Sequence, residues 1–124
     1  MVDVTFSTDV PDIEKKELGE HKLGGGPVLS RGSSSSNEVF KMLSQVAEKE
    51  GIPYTIQAAP KATRTDADGI FLTRHGVPTG LVSVPNRYMH SPNEVVSLED
   101  VNNSARLIAA FIRDLNSDTD FTPR

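Results

Sequence analysis

Apolar and polar residues alternate at the start of the chain, in the segment VDVTFS. Val2, Val4 and Phe6 fall on one side of an extended segment. The polar residues between them, Asp3 among these, fall on the other, because successive side chains of a strand point to opposite faces. The pattern predicts a strand in which Asp3 points away from the apolar side.

Two segments have the three-and-four spacing of an amphipathic helix. EVFKMLSQVAEKEG follows a serine-rich turn that supplies N-caps, and the glycine at its end suits a left-handed C-cap. The second helix is predicted to begin at SLED, where Ser97 and Asp100 have the capping-box spacing. Its apolar face is predicted to consist of Val101, Ala105, Ile108, Ile112 and Leu115.

The rest of the chain divides into short apolar runs and polar loops. PVLSR, PYTIQAA and TGLVSV predict strands, the last covered on both faces, and TDADGIFLTRHG predicts a short helix. The polar segment from Asp9 to Gly26 predicts a long loop, and residues 116–124 are expected to be a frayed tail. Strands that alternate with helices predict one α/β domain over residues 1–124, with a largely parallel sheet.

Composition narrows the classes of function. The net charge is -4 and basic residues form no stripe, so nucleic acid is not expected as a partner. There is no cysteine and hence no disulfide or thiolate metal site. No apolar run approaches the roughly 20 residues that cross a bilayer, so no membrane contact is expected and a soluble, cytoplasmic protein is predicted.

Asp3 on the first strand and His90 after the last strand are the candidate chemical groups. Carboxylate and imidazole together suit zinc, cobalt or manganese. The alternative is an exposed loop that contains a histidine, and the pair alone leaves both interpretations open. Sites in such sheets gather at the carboxyl ends of strands.

The order of motifs favours one family. VDVTFSTDVP, LGGGPVLSRG, EKEGIPYTIQ, RTDADGIF and HGVPTGLVSVPNRYMHSPNEVVSLEDV follow one another along the chain. In sequence and in order they resemble the carboxyl-terminal part of the M42 family of metallo-aminopeptidases. The resemblance runs from about Val2 to Leu115, and RYMHSP followed by an acid and a capped helix is its most specific piece.

The resemblance implies a fold and a reaction. M42 enzymes have a three-layer α/β/α catalytic domain of the zinc-exopeptidase type, of which this chain would be a part, with a mixed, mostly parallel sheet. They use two divalent metal ions, zinc or cobalt, to remove amino-terminal residues from peptides, and they assemble into hollow particles. The resemblance implies that Asp3 is a ligand of one metal and His90 a ligand of the other.

Four further residues are expected to line the site. Thr65 and Asp66 belong to the TDA segment that lies near the site in this family, although Arg64 stands where relatives often have glycine. Arg87 and Tyr88 flank the histidine and either bind substrate carbonyls or support the loop.

Glu94 either accepts the second imidazole proton of His90 or is a helix N-terminal charge. His21, in the polar loop, and His75 are not site candidates.

The catalytic set is incomplete in this sequence. The family's His-x-Asp motif and adjacent Glu-Glu pair, whose first member is the general base, do not occur. A chain without them is expected to bind metal weakly and to have no activity alone, since the base is needed to deprotonate the metal-bound water.

Three interpretations follow from this gap: a segment of an aminopeptidase, a non-catalytic assembly module with the peptidase fold, and, less favoured by the motifs, a glycan hydrolase. Self-association is expected, because a partial sheet leaves an edge uncovered.

Overall fold

A computed structural model describes residues 1–123. Its strands are β1 Val2–Phe6, β2 Val28–Gly32, β3 Thr55–Ala59, β4 Val82–Arg87 and β5 Val95–Val96. Its helices are α1 Lys15–Leu18, α2 Asn37–Lys49, α3 Ala67–Phe71 and α4 Leu98–Asp114. The predicted alternation of strands and helices is confirmed, and the additions are the short α1 inside the long loop and the two-residue β5.

The five strands form one mixed sheet in the order β1-β4-β2-β3, with β5 also paired to β4. β1 is parallel to β4 over five residue pairs and β2 is parallel to β3 over five, whereas β4 is antiparallel to β2 and to β5 over two pairs each. The sheet is therefore mostly parallel, as predicted. Because the two parallel pairs run in opposite directions, β1 and β4 finish at one end of the sheet, and β2 and β3 finish at the other.

The hydrophobic core lies between the sheet and the helices α2 and α4. Leu29 of β2 and Val82 of β4 are adjacent in the sheet and share this core with both helices. β4 is buried from Val82 to Asn86, which agrees with the prediction of a strand covered on both faces. The helix residues buried in the core are Val39, Phe40, Leu43, Val46, Ala47, Leu107 and Ala110.

Helix α4 presents a different face to the sheet from the one that its spacing predicted. The predicted apolar face is largely exposed, with Ile112 60% and Val101 42% accessible, and only Ile108 of that set is half-buried. The buried residues are Asp100, Asn103, Ser104, Leu107 and Ala110. Three of these five are polar, so the periodicity of the apolar residues alone could not identify the inner face.

The capping-box prediction at SLED is wrong in its hydrogen bonds. Ser97 is the N-cap of α4, but its side chain makes no capping hydrogen bond. The fully buried Asp100 carboxylate instead accepts from the backbone N–H groups of Gly24 and Gly26, at 2.8 Å each. Asp100 therefore joins α4 to the glycine turn before β2, a contact across more than seventy residues.

Strand β1 has its polar side buried and its apolar side exposed. Its register with β4 places Val2 and Val4 on the side of α2 and α4, yet they are 52% and 38% exposed. On the opposite side Thr5 and Ser7 are buried, and the Thr5 hydroxyl donates to Gln57 Oε1 of β3 at 2.9 Å. Asp3 does point away from the apolar side, as predicted, but no described helix covers that apolar side.

The segment between β1 and β2 packs on the polar face of the sheet through His21, a residue that the sequence indicated only as part of a polar loop. His21 is 1% exposed. Its Nδ1 bonds the Thr55 hydroxyl at 2.7 Å and its Nε2 bonds the Leu18 carbonyl at 2.6 Å. Its backbone N–H donates to Thr8 Oγ1 at 2.7 Å. The long loop is therefore fixed to β3 and to the end of β1.

The carboxyl-terminal tail has no helix or strand after α4, but it is not without contacts. The ring of Phe121 stacks on that of Phe111 of α4, with centroids 6.2 Å apart. Arg124, which belongs to the predicted frayed tail, lies outside the described residues. Within residues 1–123, no helix combines the length and the apolar character needed to span a bilayer.

Candidate functional site

The segment RYMHSP forms a tight loop between β4 and β5. Tyr88 and His90 have φ values of 57° and 67°, in the left-handed region that residues other than glycine rarely adopt. The Ser91 N–H donates to the Tyr88 carbonyl at 3.1 Å and closes the turn. His90 is thus held immediately beyond the end at which β1 and β4 finish.

The imidazole of His90 is exposed and touches one aromatic ring. Its centroid lies 6.3 Å from that of Phe6 at an interplanar angle of 86°, an edge-to-face contact. Neither ring nitrogen has a hydrogen-bond partner among residues 1–123. The Glu94 carboxylate accepts from the backbone N–H of His90 at 2.7 Å. It does not accept from the imidazole, which was one of the two roles predicted for it.

Beside this loop, Arg87 and Asp9 form a two-point ion pair. Arg87 Nε donates to Asp9 Oδ1 at 3.0 Å and an Arg87 terminal nitrogen donates to Oδ2 at 2.5 Å. The Ser7 hydroxyl also donates to Asp9. The Arg87 guanidinium and this hydroxyl outweigh partial burial and hold the pKa of Asp9 well below its usual range. Arg87 is therefore engaged with Asp9, while the neighbouring Tyr88 side chain is 54% exposed.

Asp3 lies within β1, and His90 lies three residues beyond the end of β4. Asp3 pairs with Ser83 near the beginning of β4, whereas His90 follows the finish of β4 at Arg87. Phe6, which contacts His90, lies three positions after Asp3. Three positions correspond to about 10 Å along a strand. A second carboxylate, that of Asp9 just after the strand, contacts Arg87 at the start of RYMHSP.

The signal for Asp9 was present in the sequence. It stands in TDVP directly after the predicted strand, and the carboxyl end of a strand is where α/β sheets place their sites. Proximity in space could not be read from the sequence, because it depends on β1 pairing with β4, its partner across nearly eighty residues.

Thr65 and Asp66 lie toward the opposite end of the sheet. They follow β3, which finishes beside β2, and the connecting segment is tied there by the Ser33 hydroxyl, which donates to the Lys61 carbonyl at 3.0 Å. Thr65 Oγ1 accepts from the Ala67 N–H at 3.2 Å. The structure therefore does not bring these two predicted site residues to His90 within the described chain.

Arg64 occupies a glycine-like conformation. Its φ is 60°, a value that glycine adopts without steric cost and arginine does not. The Asp68 carboxylate compensates by accepting from the backbone N–H groups of Arg64 and Thr63, both at 2.9 Å. Asp68 therefore holds the backbone of this loop.

The donor types present suit a divalent cation, but they do not make a complete site. His90 offers an open imidazole and Asp9 a carboxylate, both of which zinc and cobalt accept. Across residues 1–123, no three histidine, aspartate or glutamate side chains come together as a group that could hold a metal. A tight zinc site usually needs three or four protein ligands, so this chain can contribute to such a site without forming it.

Comparison with known proteins agrees with the resemblance seen in the motifs. The sequence profile of the M42 glutamyl aminopeptidase family matches residues 1–107. A lysyl aminopeptidase of Pyrococcus furiosus is 37% identical over 98% of this chain and 34% of its own length. The chain belongs to peptidase family M42.

Solved structures show the same fold. A TET aminopeptidase from a marine sediment archaeon of the Thaumarchaeota superposes with a TM-score of 0.85, at 29% identity, over 94% of this chain and 33% of that protein. An aminopeptidase of the archaeon Desulfurococcus kamchatkensis gives a TM-score of 0.79 at 38% identity, over 92% of this chain and 33% of that protein. The chain therefore spans about a third of the length of the relatives that it matches.

Proposed function

We propose that this chain forms one part of the catalytic domain of a dinuclear-metal aminopeptidase, and that His90 supplies an imidazole to one of the two metals. The observation that carries the proposal is the placement of His90, which is held beyond the carboxyl ends of two parallel strands with neither ring nitrogen bonded to any of residues 1–123. The structural histidine of this chain, His21, instead uses both ring nitrogens in hydrogen bonds.

For the carboxylate ligand we propose Asp3, as the resemblance to the family implies, with Asp9 as the alternative. Asp9 lies near the end of the sheet that His90 follows, but both of its carboxylate oxygens accept from Arg87 and one also accepts from Ser7. Asp3 accepts from the N–H of the next residue, Val4, at 2.8 Å within the strand. The site-lining roles of Arg87 and Tyr88 and of Thr65 and Asp66 remain part of the proposal.

The proposed reaction is the hydrolysis of an amino-terminal peptide bond, which relatives such as the lysyl aminopeptidase of Pyrococcus furiosus are named for. The metals, when bound, polarise the carbonyl and lower the pKa of the attacking water. This chain would orient one imidazole and one carboxylate toward them. We propose that it has no activity by itself, because no adjacent glutamate pair provides the base.

The proposal is tested by assaying the purified chain on aminoacyl substrates with zinc, cobalt or manganese added. The lysyl aminopeptidase of Pyrococcus furiosus is the positive control. We expect no turnover by the chain alone. Turnover that persists after purification to one species and disappears in His90→Ala would show that the chain completes a site by itself, and would refute the predicted inactivity.

A second candidate function, assembly, is favoured by an uncovered apolar surface. We define the open apolar surface as Val2, Val4, Phe6, Ile108 and Ile112. Val2, Ile108 and Ile112 line one groove of about 330 Å³ between β1 and α4. The free side of β1 pairs with no described strand. An apolar surface next to an unpaired strand edge favours association with another polypeptide.

We propose that this surface drives self-association of the chain. Among similar structures, a TET peptidase of Pyrococcus horikoshii is described as assembling into a tetrahedron or a large octahedral shell, at 29% identity over 33% of its length. Light scattering should show a dimer or larger species that Ile112→Glu dissociates. Leu72→Glu is the matched control, because Leu72 is 76% exposed outside this surface. A wild-type monomer at high protein concentration would contradict the proposal.

A further inference from the structure

The loop that carries His90 is bent into a shape that requires support. Tyr88 and His90 both have positive φ, at 57° and 67°, and neither is glycine. Residues in this region persist only where their surroundings hold them, and they concentrate at functional sites. The support must come from contacts to the loop.

Within residues 1–123, the side chains of Glu94 and Phe6 contact His90. The Glu94 carboxylate accepts from the His90 backbone N–H at 2.7 Å, a charge-assisted hydrogen bond that closes the loop from its far side. The Phe6 ring meets the imidazole edge to face, with centroids 6.3 Å apart. One contact therefore fixes the backbone of His90, and the other restricts the rotation of its ring.

Neither contact occupies a ring nitrogen. A metal-bound histidine usually donates its second ring N–H to a carboxylate or carbonyl, which sets the orientation of the imidazole. Residues 1–123 provide no such partner to His90. The orientation of this imidazole must therefore be set by other means, and Phe6 and Glu94 are the residues whose contacts can set it.

We propose that Phe6 and Glu94 are positioning residues, which orient the His90 imidazole before a metal arrives and leave both ring nitrogens open. That these residues prepare His90 for a metal rests on the proposed function. Their contacts with His90 can be measured in the metal-free chain. Phe6 is 39% exposed and Glu94 is exposed as well, so substituting either removes no core side chain.

The first measurement is NMR of the metal-free protein at fixed pH. The wild type should show nuclear Overhauser contacts between the rings of Phe6 and His90. Phe6→Leu should shift the His90 ring proton signals because it removes the ring current. Phe121→Leu is the matched control, since it removes an aromatic ring whose recorded partner is Phe111, and it should leave those signals in place.

Hydrogen exchange of the His90 amide tests Glu94. Glu94→Ala should raise its exchange rate by about tenfold or more, because a hydrogen bond to a charged acceptor is lost. Glu94→Gln should recover part of the protection, since its amide oxygen still accepts. His90 ring signals unchanged in Phe6→Leu, or exchange unchanged in Glu94→Ala, would overturn the positioning role of the residue concerned.

A zinc titration separates this inference from the proposed function. The His90 ring signals should respond to excess zinc, and Phe6→Leu should weaken the apparent affinity by about tenfold, the lower range for residues that orient a ligand. If the metal-free signals behave as expected and zinc leaves His90 unaffected, the metal role fails and the positioning stands. Equal zinc affinity in wild type and Phe6→Leu would refute a positioning role for Phe6.

Discussion

His21 and His90 show two opposite ways of placing a histidine in one small fold. His21 is buried and both its ring nitrogens are bonded, to Thr55 and to Leu18. His90 is exposed, its backbone is fixed by Glu94, and neither ring nitrogen is bonded within the described residues. Of these two histidines, only His90 could offer its imidazole to a ligand without breaking hydrogen bonds of the fold.

The tautomer of His21 follows from its partners. A carbonyl oxygen can only accept, so Nε2 carries the proton and donates to Leu18, and Nδ1 accepts from the Thr55 hydroxyl. Burial lowers the pKa of His21, and the Leu18 carbonyl opposes that shift only in part. The ring is therefore neutral in the folded protein and serves to bind the long loop to β3.

The largest expected effect comes from truncating the two histidines in parallel. His21→Ala should lower the free energy of unfolding by about 3 kcal/mol, because it leaves a cavity and removes the partners of two partly buried groups. His90→Ala should change it by less than about 0.5 kcal/mol, as exposed substitutions usually do. Urea denaturation curves of the three proteins measure both values. Equal losses in the two variants would remove the distinction between the sites.

The next effect concerns Asp100, which joins α4 to the loop region that His21 also holds. Asp100→Ala should cost about 2–3 kcal/mol, since it leaves the N–H groups of Gly24 and Gly26 without their acceptor. Glu99→Ala, at the neighbouring exposed position of the same first turn, is the control and should cost less than about 0.5 kcal/mol. A small loss for Asp100→Ala would mean that solvent replaces the carboxylate.

The pH dependence of stability should report His21. Its folded-state pKa is lowered, so the unfolded chain takes up a proton that the folded chain does not. The contribution of His21 to the free energy of unfolding is fully present above its unfolded-state pKa of about 6.5. It is lost as the pH falls below that value, by at most about 1.4 kcal/mol per pH unit. His21→Gln should flatten the curve between about pH 6.5 and 5. A wild-type curve already flat in this range would contradict the buried neutral state.

The smallest effect is the response to zinc. Excess zinc should shift the ring signals of His90 and leave those of His21 unchanged, because the two nitrogens of His21 are occupied. Binding should be weak, since one imidazole and one carboxylate fall short of the usual three or four ligands. An NMR titration measures both histidines in the same sample. A stronger response at His21 would reverse the comparison.

The sequence by itself determined the elements of the fold and their class. Alternation defined β1, the three-and-four spacing defined α2 and α4, and the order of motifs identified the family. Alternation and helical spacing depend only on neighbouring residues, and the family motifs depend only on the order of residues along the chain. For the same reason, His90 and the absence of a glutamate pair could be recognised without a structure.

Tertiary structure decided which faces are buried and which residues meet. The apolar stripe of α4 lies outward, because Asp100 and Ser104 find internal partners on its inner face: Asp100 bonds the glycine turn, and the Ser104 hydroxyl donates to the Asp100 carbonyl at 2.8 Å. Asp9 pairs with Arg87, because β1 is parallel to β4 and the two finish at the same end of the sheet. Periodicity reports the polarity of a face, but the burial of that face depends on contacts between residues far apart in the chain.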